Sequence, residues 1–119
     1  MASFINADLS HELTEKRVIF TVNAKVRFQE QEQGHNWMFE VVLWEEDPVK
    51  DDHLITKRDY FVPSSDEVEL SHVVDMGQAQ IDTEPGKEEV YARLRVAPLD
   101  APPNMTAAET RTNTLSVDV

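Results

Sequence analysis

The residues of this chain that could hold a metal ion are concentrated in one acidic stretch, from position 45 to position 52. It reads Glu-Glu-Asp-Pro-Val-Lys-Asp-Asp, and calcium takes several oxygen ligands that converge from a loop. We therefore single out Asp47, Asp51 and Asp52 as candidate calcium ligands. The spacing is not that of an EF-hand, because the third-position ligand and the turn glycine are missing. A solvated turn in an acidic protein explains the same residues.

Catalytic groups are harder to find. Ser71, His72 and Asp75 are the residue types of a hydrolytic triad, but successive residues of a strand face opposite sides, so Ser71 and His72 cannot meet. The other histidines have no metal-ligand spacing, and three glycines in the whole chain leave no phosphate-binding loop. Paired carboxylates for glycoside chemistry need a cleft, which a small domain rarely builds. We expect no enzyme, with a small hydrolase as the last alternative.

The charge balance narrows the class of partner. The formal net charge is −12, from 23 acidic and 11 basic residues, and such a surface repels phosphate backbones and anionic lipid. We therefore expect no nucleic acid and no membrane partner. The absence of cysteine removes disulfides and thiolate metal sites and fits a reducing compartment such as the cytoplasm. The N-terminal residues predict neither a signal peptide nor a membrane span.

The elements that position these residues are predicted from residues 17–29. Val18, Phe20, Val22, Ala24, Val26 and Phe28 alternate with a set that is polar apart from Ile19. A period of two is typical of a strand with one buried and one wet face. A helix would place several of these apolar residues in water.

Weaker alternation marks further strands along the chain. They fall at residues 3–13, 37–46, 53–62, 67–74, 79–81, 90–96 and 115–119. Residues 98–110 contain three prolines and no periodicity, which predicts a long loop. Seven or eight short strands with turn signals and no helical stretch predict a single all-β domain over residues 1–119, a two-layer antiparallel β-sandwich; a closed barrel is the alternative.

One stretch resembles a known superfold. Tyr91-Ala92-Arg93-Leu94-Arg95-Val96-Ala97 is similar to the penultimate strand of immunoglobulin-like and fibronectin type III domains. The resemblance implies an immunoglobulin-like sandwich, within which functions differ freely. Here Tyr91 shares a face with Arg93 and Arg95, whereas fibronectin-type domains place the tyrosine with the core residues.

That topology predicts two outer surfaces. The strand at 17–29 would pair with 67–74, so that Lys25 and Arg27 face Glu67 and Glu69 on the outer surface. The strand at 37–46 would pair with 89–96, and its outer face would gather residue types that are enriched at protein interfaces, with an arginine stacked over a tryptophan as one plausible contact. These candidate partner-binding residues are Met38, Val42, Trp44, Tyr91, Arg93 and Arg95.

The sequence therefore predicts a non-enzymatic β-sandwich for protein–protein interaction or structural assembly, with a protein partner or a homo-oligomer. The alternative is a calcium- or carbohydrate-binding module that uses the acidic turn and the end loops. No cofactor other than calcium is expected.

Overall fold

The alternation between Val18 and Val26 determines how the second strand packs. Every even-numbered side chain in this segment is buried, while the odd-numbered ones are half-buried or exposed. The computed structural model describes residues 1–81, 86–100 and 105–119, and within them it has eight strands. The strands are β1 (Ser3–Leu13), β2 (Arg17–Arg27), β3 (Trp37–Glu45), β4 (Asp52–Phe61), β5 (Glu67–Gly77), β6 (Glu88–Pro98), β7 (Ala108–Arg111) and β8 (Leu115–Val117).

The strands form two antiparallel sheets. One sheet has three strands in the order β1-β2-β5, and the other has the order β4-β3-β6-β7, with β8 also pairing with β6. The two sheets are separate, so the chain is a sandwich and the closed-barrel alternative is wrong. The predicted pairing of residues 17–29 with 67–74, and of 37–46 with 89–96, is confirmed. The architecture is therefore the predicted all-β, immunoglobulin-like sandwich.

A common core lies between the sheets. It is built from the even positions of β2, the odd positions of β3 and the even positions of β6, together with residues of β1, β5 and β8. Burial of an aliphatic or aromatic side chain of this size contributes about 1.5–3 kcal/mol. Phe28 packs edge-on against Trp37 and Phe61. These contacts fix β3 and β4 over β2, and they fix which side chains of β3 point outward.

Side chains close the two open sides of the sandwich. On one side Asn113, between β7 and β8, mimics a strand, because its Oδ1 accepts from the Leu9 amide at 2.8 Å and its Nδ2 donates to the Leu9 carbonyl at 3.0 Å. On the other side His72 of β5 contacts Asp59 of β4 at 2.5 Å. The His72 side chain is 19% exposed.

Two predicted elements are wrong. Residues 79–81 belong to a single helical turn, α1 (Gln78–Ile81), whose Ile81 side chain is fully buried. The Gln80 side chain accepts from the Gly77 amide at 2.8 Å, a local bond that favours the turn over a strand. Within the predicted loop at 98–110, β6 extends to Pro98 and β7 occupies Ala108–Arg111.

Part of the predicted loop at 98–110 lies outside the described part of the chain, namely residues 101–104 with Pro102 and Pro103. Gly86 has a φ of 97°, the left-handed backbone conformation that glycine adopts readily. Among the described residues, no helix is long and apolar enough to cross a membrane.

Candidate functional site

The even-numbered residues of β3 form the centre of an outward-facing surface on the five-stranded sheet. Because β3 lies between β4 and β6, each outer residue has a neighbour on both sides. Met38 lies between Tyr60 and Ala97, Val42 lies between Thr56 and Arg93, and Trp44 lies between His53 and Tyr91. We call this surface, centred on Met38, Val42 and Trp44, the Trp44 face.

The structure brings the six predicted contact residues together on this one face. Met38, Val42, Trp44 and Arg95 are half-buried and Arg93 is exposed. A shallow groove of about 130 Å³ runs along the face, with Val42 and Trp44 on its apolar floor and charged side chains at its margins. Tyr91 differs from the other five residues, because it is only 2% exposed.

Two groups from distant parts of the chain cover the outer side of Tyr91. The Arg111 guanidinium of β7 stacks over the Tyr91 ring at 3.6 Å from its centroid, and the Tyr91 hydroxyl donates to the Asp51 carboxylate from the β3–β4 connection. The expected stacking of an arginine over a tryptophan is thus replaced, in the part of the chain described, by Arg111 over Tyr91. Tyr91 therefore lies beneath the surface of the face, and a partner could contact it only if Arg111 and Asp51 moved.

This contact shifts the pKa of both partners. Burial, followed by the hydrogen bond to Asp51, raises the pKa of Tyr91 above its usual 10.0. The hydrogen bonds from the Tyr91 hydroxyl and then from the Asp47 amide lower the pKa of Asp51 below its usual 3.8. The pair therefore keeps a neutral phenol against an ionised carboxylate over a wide pH range, and it holds the loop after β3 against the sheet.

The two tryptophans of β3 have opposite environments. Trp37 is fully buried in the core, and its indole Nε1 donates to the Glu32 carbonyl at 3.0 Å. Trp44 lies on the outer side, packed edge-on against His53, and its buried Nε1 has no acceptor among the described residues. Buried polar atoms are nearly always hydrogen-bonded, so the indole N–H of Trp44 is an unused donor on this face.

A row of four charged residues crosses the Trp44 face. Arg58 of β4, Glu40 of β3, Arg95 of β6 and Glu109 of β7 follow one another in register, one residue from each strand. Arg58 Nε lies 2.8 Å from Glu40 Oε2, and Arg95 Nε lies 3.4 Å from Glu109 Oε1. We call this row the charge ladder. It borders the groove and separates Met38 from Val42 and Trp44.

Sequence reasoning missed part of this face. Arg58 and Tyr60 lie on the irregular strand β4, and Tyr60 is 66% exposed. Glu109 lies in the predicted loop at 98–110, and Arg111 directly follows it. A signal was present in β4, since positions 56, 58 and 60 alternate in phase with the outer face, but none was present in the four residues of β7.

The three candidate metal ligands do not converge. Asp51 is bound to Tyr91 and accepts from the Asp47 amide at 3.2 Å, while Asp47 Oδ1 accepts from the Val49 amide at 2.9 Å. Asp52 begins β4 and is exposed. Within residues 1–81, 86–100 and 105–119, no three His, Asp or Glu side chains are arranged to hold a metal ion. The loop carboxylates of Asp47 and Asp51 instead order the turn itself.

Comparison with known proteins finds similarity of structure only. No protein-family model matches the chain, and no curated protein is similar to it in sequence. A glycosyl hydrolase family 2 member from Bacteroides cellulosilyticus matches 98% of this chain with a TM-score of 0.70 and 11% identity, and a second structure of a family 2 member from that organism has a TM-score of 0.66. A β-glucosidase from Kluyveromyces marxianus also aligns, with a TM-score of 0.41 and 11% identity.

These matches cover a small share of the larger proteins. The chain spans 15% of the first glycosyl hydrolase and 14% of the second structure. At 11% identity, the likeness concerns the fold alone. The comparisons therefore agree with the sheet topology in one conclusion: this chain has the fold of a β-sandwich domain that also occurs as one part of much larger proteins.

Proposed function

We propose that this chain is a non-enzymatic β-sandwich module that docks a protein partner on its Trp44 face. The observation that carries the proposal is the composition of that face. Three large apolar side chains of one strand, Met38, Val42 and Trp44, share it with four of the six arginines of the chain, Arg58, Arg93, Arg95 and Arg111. Tryptophan, methionine and arginine are enriched at interfaces, and tryptophan and arginine carry much of the binding energy there.

The polar groups of the face support a protein partner. The indole N–H of Trp44 is buried and lacks an acceptor among the described residues, so its half-buried ring, and not the N–H, would meet a partner. Three of the four arginines pair with carboxylates, Arg58 with Glu40, Arg95 with Glu109 and Arg111 with Glu46 at 3.5 Å. The fourth, Arg93, lies near the Asp51 carboxylate. A locally neutral face favours protein over nucleic acid in a chain with a net charge of −12.

The test is a pair of matched substitutions on the two outer sides of the sandwich. Trp44→Ser removes the centre of the Trp44 face, and Val73→Ser removes an exposed apolar side chain from the outer surface of the three-stranded sheet. Light scattering and affinity capture with the immobilised protein report association. We expect Trp44→Ser to weaken association by roughly a hundredfold, the effect of an interface hot spot of about 2–3 kcal/mol, and Val73→Ser to leave it unchanged.

The variants Trp44→Ser and Val73→Ser also supply the control and the result that would contradict the proposal. Thermal unfolding must show that both variants are folded. If folded Trp44→Ser retains the same assembly state and the same captured proteins as the native chain, the Trp44 face is not the docking surface and the proposal is wrong.

A carbohydrate-associated module is the second candidate. It is supported by the two glycosyl hydrolase structures, in which a β-sandwich of this kind forms one segment, and by the exposed Tyr60 ring on the same face. Calorimetry with a panel of glycans tests it, and Tyr60→Ala is the matched variant. Heat of binding that disappears in Tyr60→Ala would favour this candidate, whereas no heat with any glycan would retire it.

Calcium binding by Asp47, Asp51 and Asp52 belongs to the same second candidate function, and calorimetry tests it as well. Binding requires Asp51 to exchange its hydrogen bond with Tyr91 for the ion. Calcium titrated into the native chain is expected to give no heat. A saturable signal that is lost in Asp51→Asn would contradict that expectation.

A further inference from the structure

The charge ladder has a symmetry that restricts what can cover the Trp44 face. Read from β4 to β7 the signs are plus, minus, plus, minus, for Arg58, Glu40, Arg95 and Glu109. An alternating row with an even number of members becomes its own complement when it is reversed. A surface that presents the reversed row would therefore place each cation opposite an anion. A second copy of this chain, turned about a two-fold axis, is such a surface.

The ladder also selects the direction of that axis. If the axis runs parallel to the strands, between β3 and β6, then Arg58 faces Glu109 of the second copy and Glu40 faces Arg95. If the axis runs along the ladder itself, then every member faces its own equivalent, which gives four pairs of like charge. Juxtaposed like charges across an interface cost several kcal/mol, so only the first arrangement is compatible with close contact.

The neighbouring rows fit the same axis. In the row on one side of the ladder Val42 would face Arg93 of the second copy, and Thr56 would face Arg111. On the other side Met38 would face Ala97. No like charges meet in these rows. The apolar residues of β3 would lie over the arginine stems and small side chains of β6, which suits the amphipathic character of arginine.

The area of the face is sufficient for a weak dimer. The strands β4, β3, β6 and β7 contain 34 residues, which at about 4.8 Å between strands and about 3.3 Å per residue give a face of roughly 540 Å² per copy. The total of about 1,100 Å² is just above the roughly 1,000 Å² expected of a specific interface, at the small end of the range. Local neutrality matters here, because two chains with a net charge of −12 repel one another elsewhere.

We propose that the protein partner of the Trp44 face is a second copy of this chain, bound about a two-fold axis parallel to the strands, with the charge ladders of the two copies in contact. The proposal rests on the proposed function and narrows it to self-association. It makes the ladder, which is an internal feature of each copy, the element that sets the orientation of the dimer.

The experiment reverses the whole ladder. The variant Arg58→Glu, Glu40→Arg, Arg95→Glu, Glu109→Arg keeps every pair within the chain and keeps the row self-complementary. Fluorescently labelled native protein is followed by sedimentation velocity in an excess of unlabelled native protein or of unlabelled reversed variant. We expect the native chain to form a dimer and the reversed variant to dimerise with itself to a similar extent. We expect native–reversed dimers to be at least about tenfold weaker, because all four facing pairs become like charges.

Three results would overturn the inference. They are native–reversed dimers that form as readily as native dimers, a reversed variant that no longer dimerises although folded, and a native chain that stays monomeric up to about 1 mM. If the native chain stays monomeric but captures another protein, and Trp44→Ser no longer captures it, the proposed function still holds and only self-association is wrong. Failure of the inference can therefore be distinguished from failure of the proposed function. If the four substitutions prevent folding, Glu109→Arg replaces them, with Glu109→Gln as its matched control; equal dimer affinity in both would overturn the inference.

Discussion

The two outer surfaces of this sandwich cover the same core but are built from different residues. On the three-stranded sheet, the outer residues of β1, β2 and β5 are mostly small or charged, and three ion pairs join β2 to β5. Arg17 lies 2.9 Å from Asp75, Arg27 lies 3.3 Å from Glu67, and Lys25 lies 3.9 Å from Glu69. Its most exposed large apolar side chain, Val73, has Thr21 as its cross-strand neighbour. We call this surface the Thr21 face.

The Trp44 face keeps groups that the rest of the described chain does not satisfy. Its apolar residues lie on β3 on either side of Glu40, and the buried indole N–H of Trp44 has no acceptor in the described segments. The comparison teaches that charge alone does not distinguish the two faces, since both carry cross-strand ion pairs. Exposed pairs of this kind contribute about 0–1 kcal/mol each. The difference lies in the larger apolar side chains of the Trp44 face, which a partner would cover.

The largest expected effect tests whether the inner and outer sides of β3 have different roles. Trp37→Ala is expected to lower the free energy of unfolding by about 3–5 kcal/mol, because it opens a cavity in the core and removes the hydrogen bond to the Glu32 carbonyl. Trp44→Ala is expected to lower it by only about 1 kcal/mol, since the side chain is half-buried and makes no indole hydrogen bond. Urea unfolding measures both values. Equal losses would mean that Trp44 is a core residue, and the contrast between the faces would fail.

A smaller effect concerns the loop between β3 and β4, in which Asp51 accepts a hydrogen bond from Tyr91 of the Trp44 face. Because the folded pKa of Asp51 lies below its usual 3.8, its contribution to stability is present above about pH 3.8 and is lost as the pH falls through the folded value. Asp51→Asn is expected to remove this acid dependence. The pKa of Tyr91 is raised, so its contribution is present below about pH 10 and is lost as the pH rises further, and Tyr91→Phe is expected to remove that alkaline loss.

Melting temperature as a function of pH measures these two dependences. Val49→Ala, in the same loop and with a 93% exposed side chain, is the matched control and should follow the native curve. If Asp51→Asn also follows the native curve below pH 3.8, then the contact between Asp51 and Tyr91 does not contribute to stability in solution.

Local periodicity was sufficient to predict most of the fold. The alternation of residues 18–28 and the alternating runs on either side located the long strands, because a half-buried strand must repeat every two residues. The same rule put Met38, Val42 and Trp44 on one face and assigned Tyr91 to the outer side of β6. The immunoglobulin-like topology further predicted that Lys25 and Arg27 face Glu67 and Glu69, and the register pairs Lys25 with Glu69 and Arg27 with Glu67.

The rest depends on contacts between distant residues, which periodicity cannot indicate. Tyr91 is buried because Arg111 and Asp51, from two other elements, cover it. Strand β7 has four residues and no apolar alternation, so nothing local distinguishes it from a loop. Strand β4 is irregular because its register shifts opposite Leu43 and Trp44. As a result, the sequence alone did not assign three residues of the charged part of the face, Arg58, Glu109 and Arg111.

The two indole N–H groups offer the most direct test that the Trp44 face is the surface of association. In a proton–nitrogen correlation spectrum Trp37 and Trp44 each give one side-chain signal, and protein concentration is raised from about 20 µM to about 1 mM. The account predicts that the Trp44 signal shifts steadily as a second copy covers the outer side of its ring, while the signal of Trp37, whose N–H is bonded to the Glu32 carbonyl in the core, stays in place. A Trp44 signal that does not move while backbone signals of the Thr21 face do would contradict it.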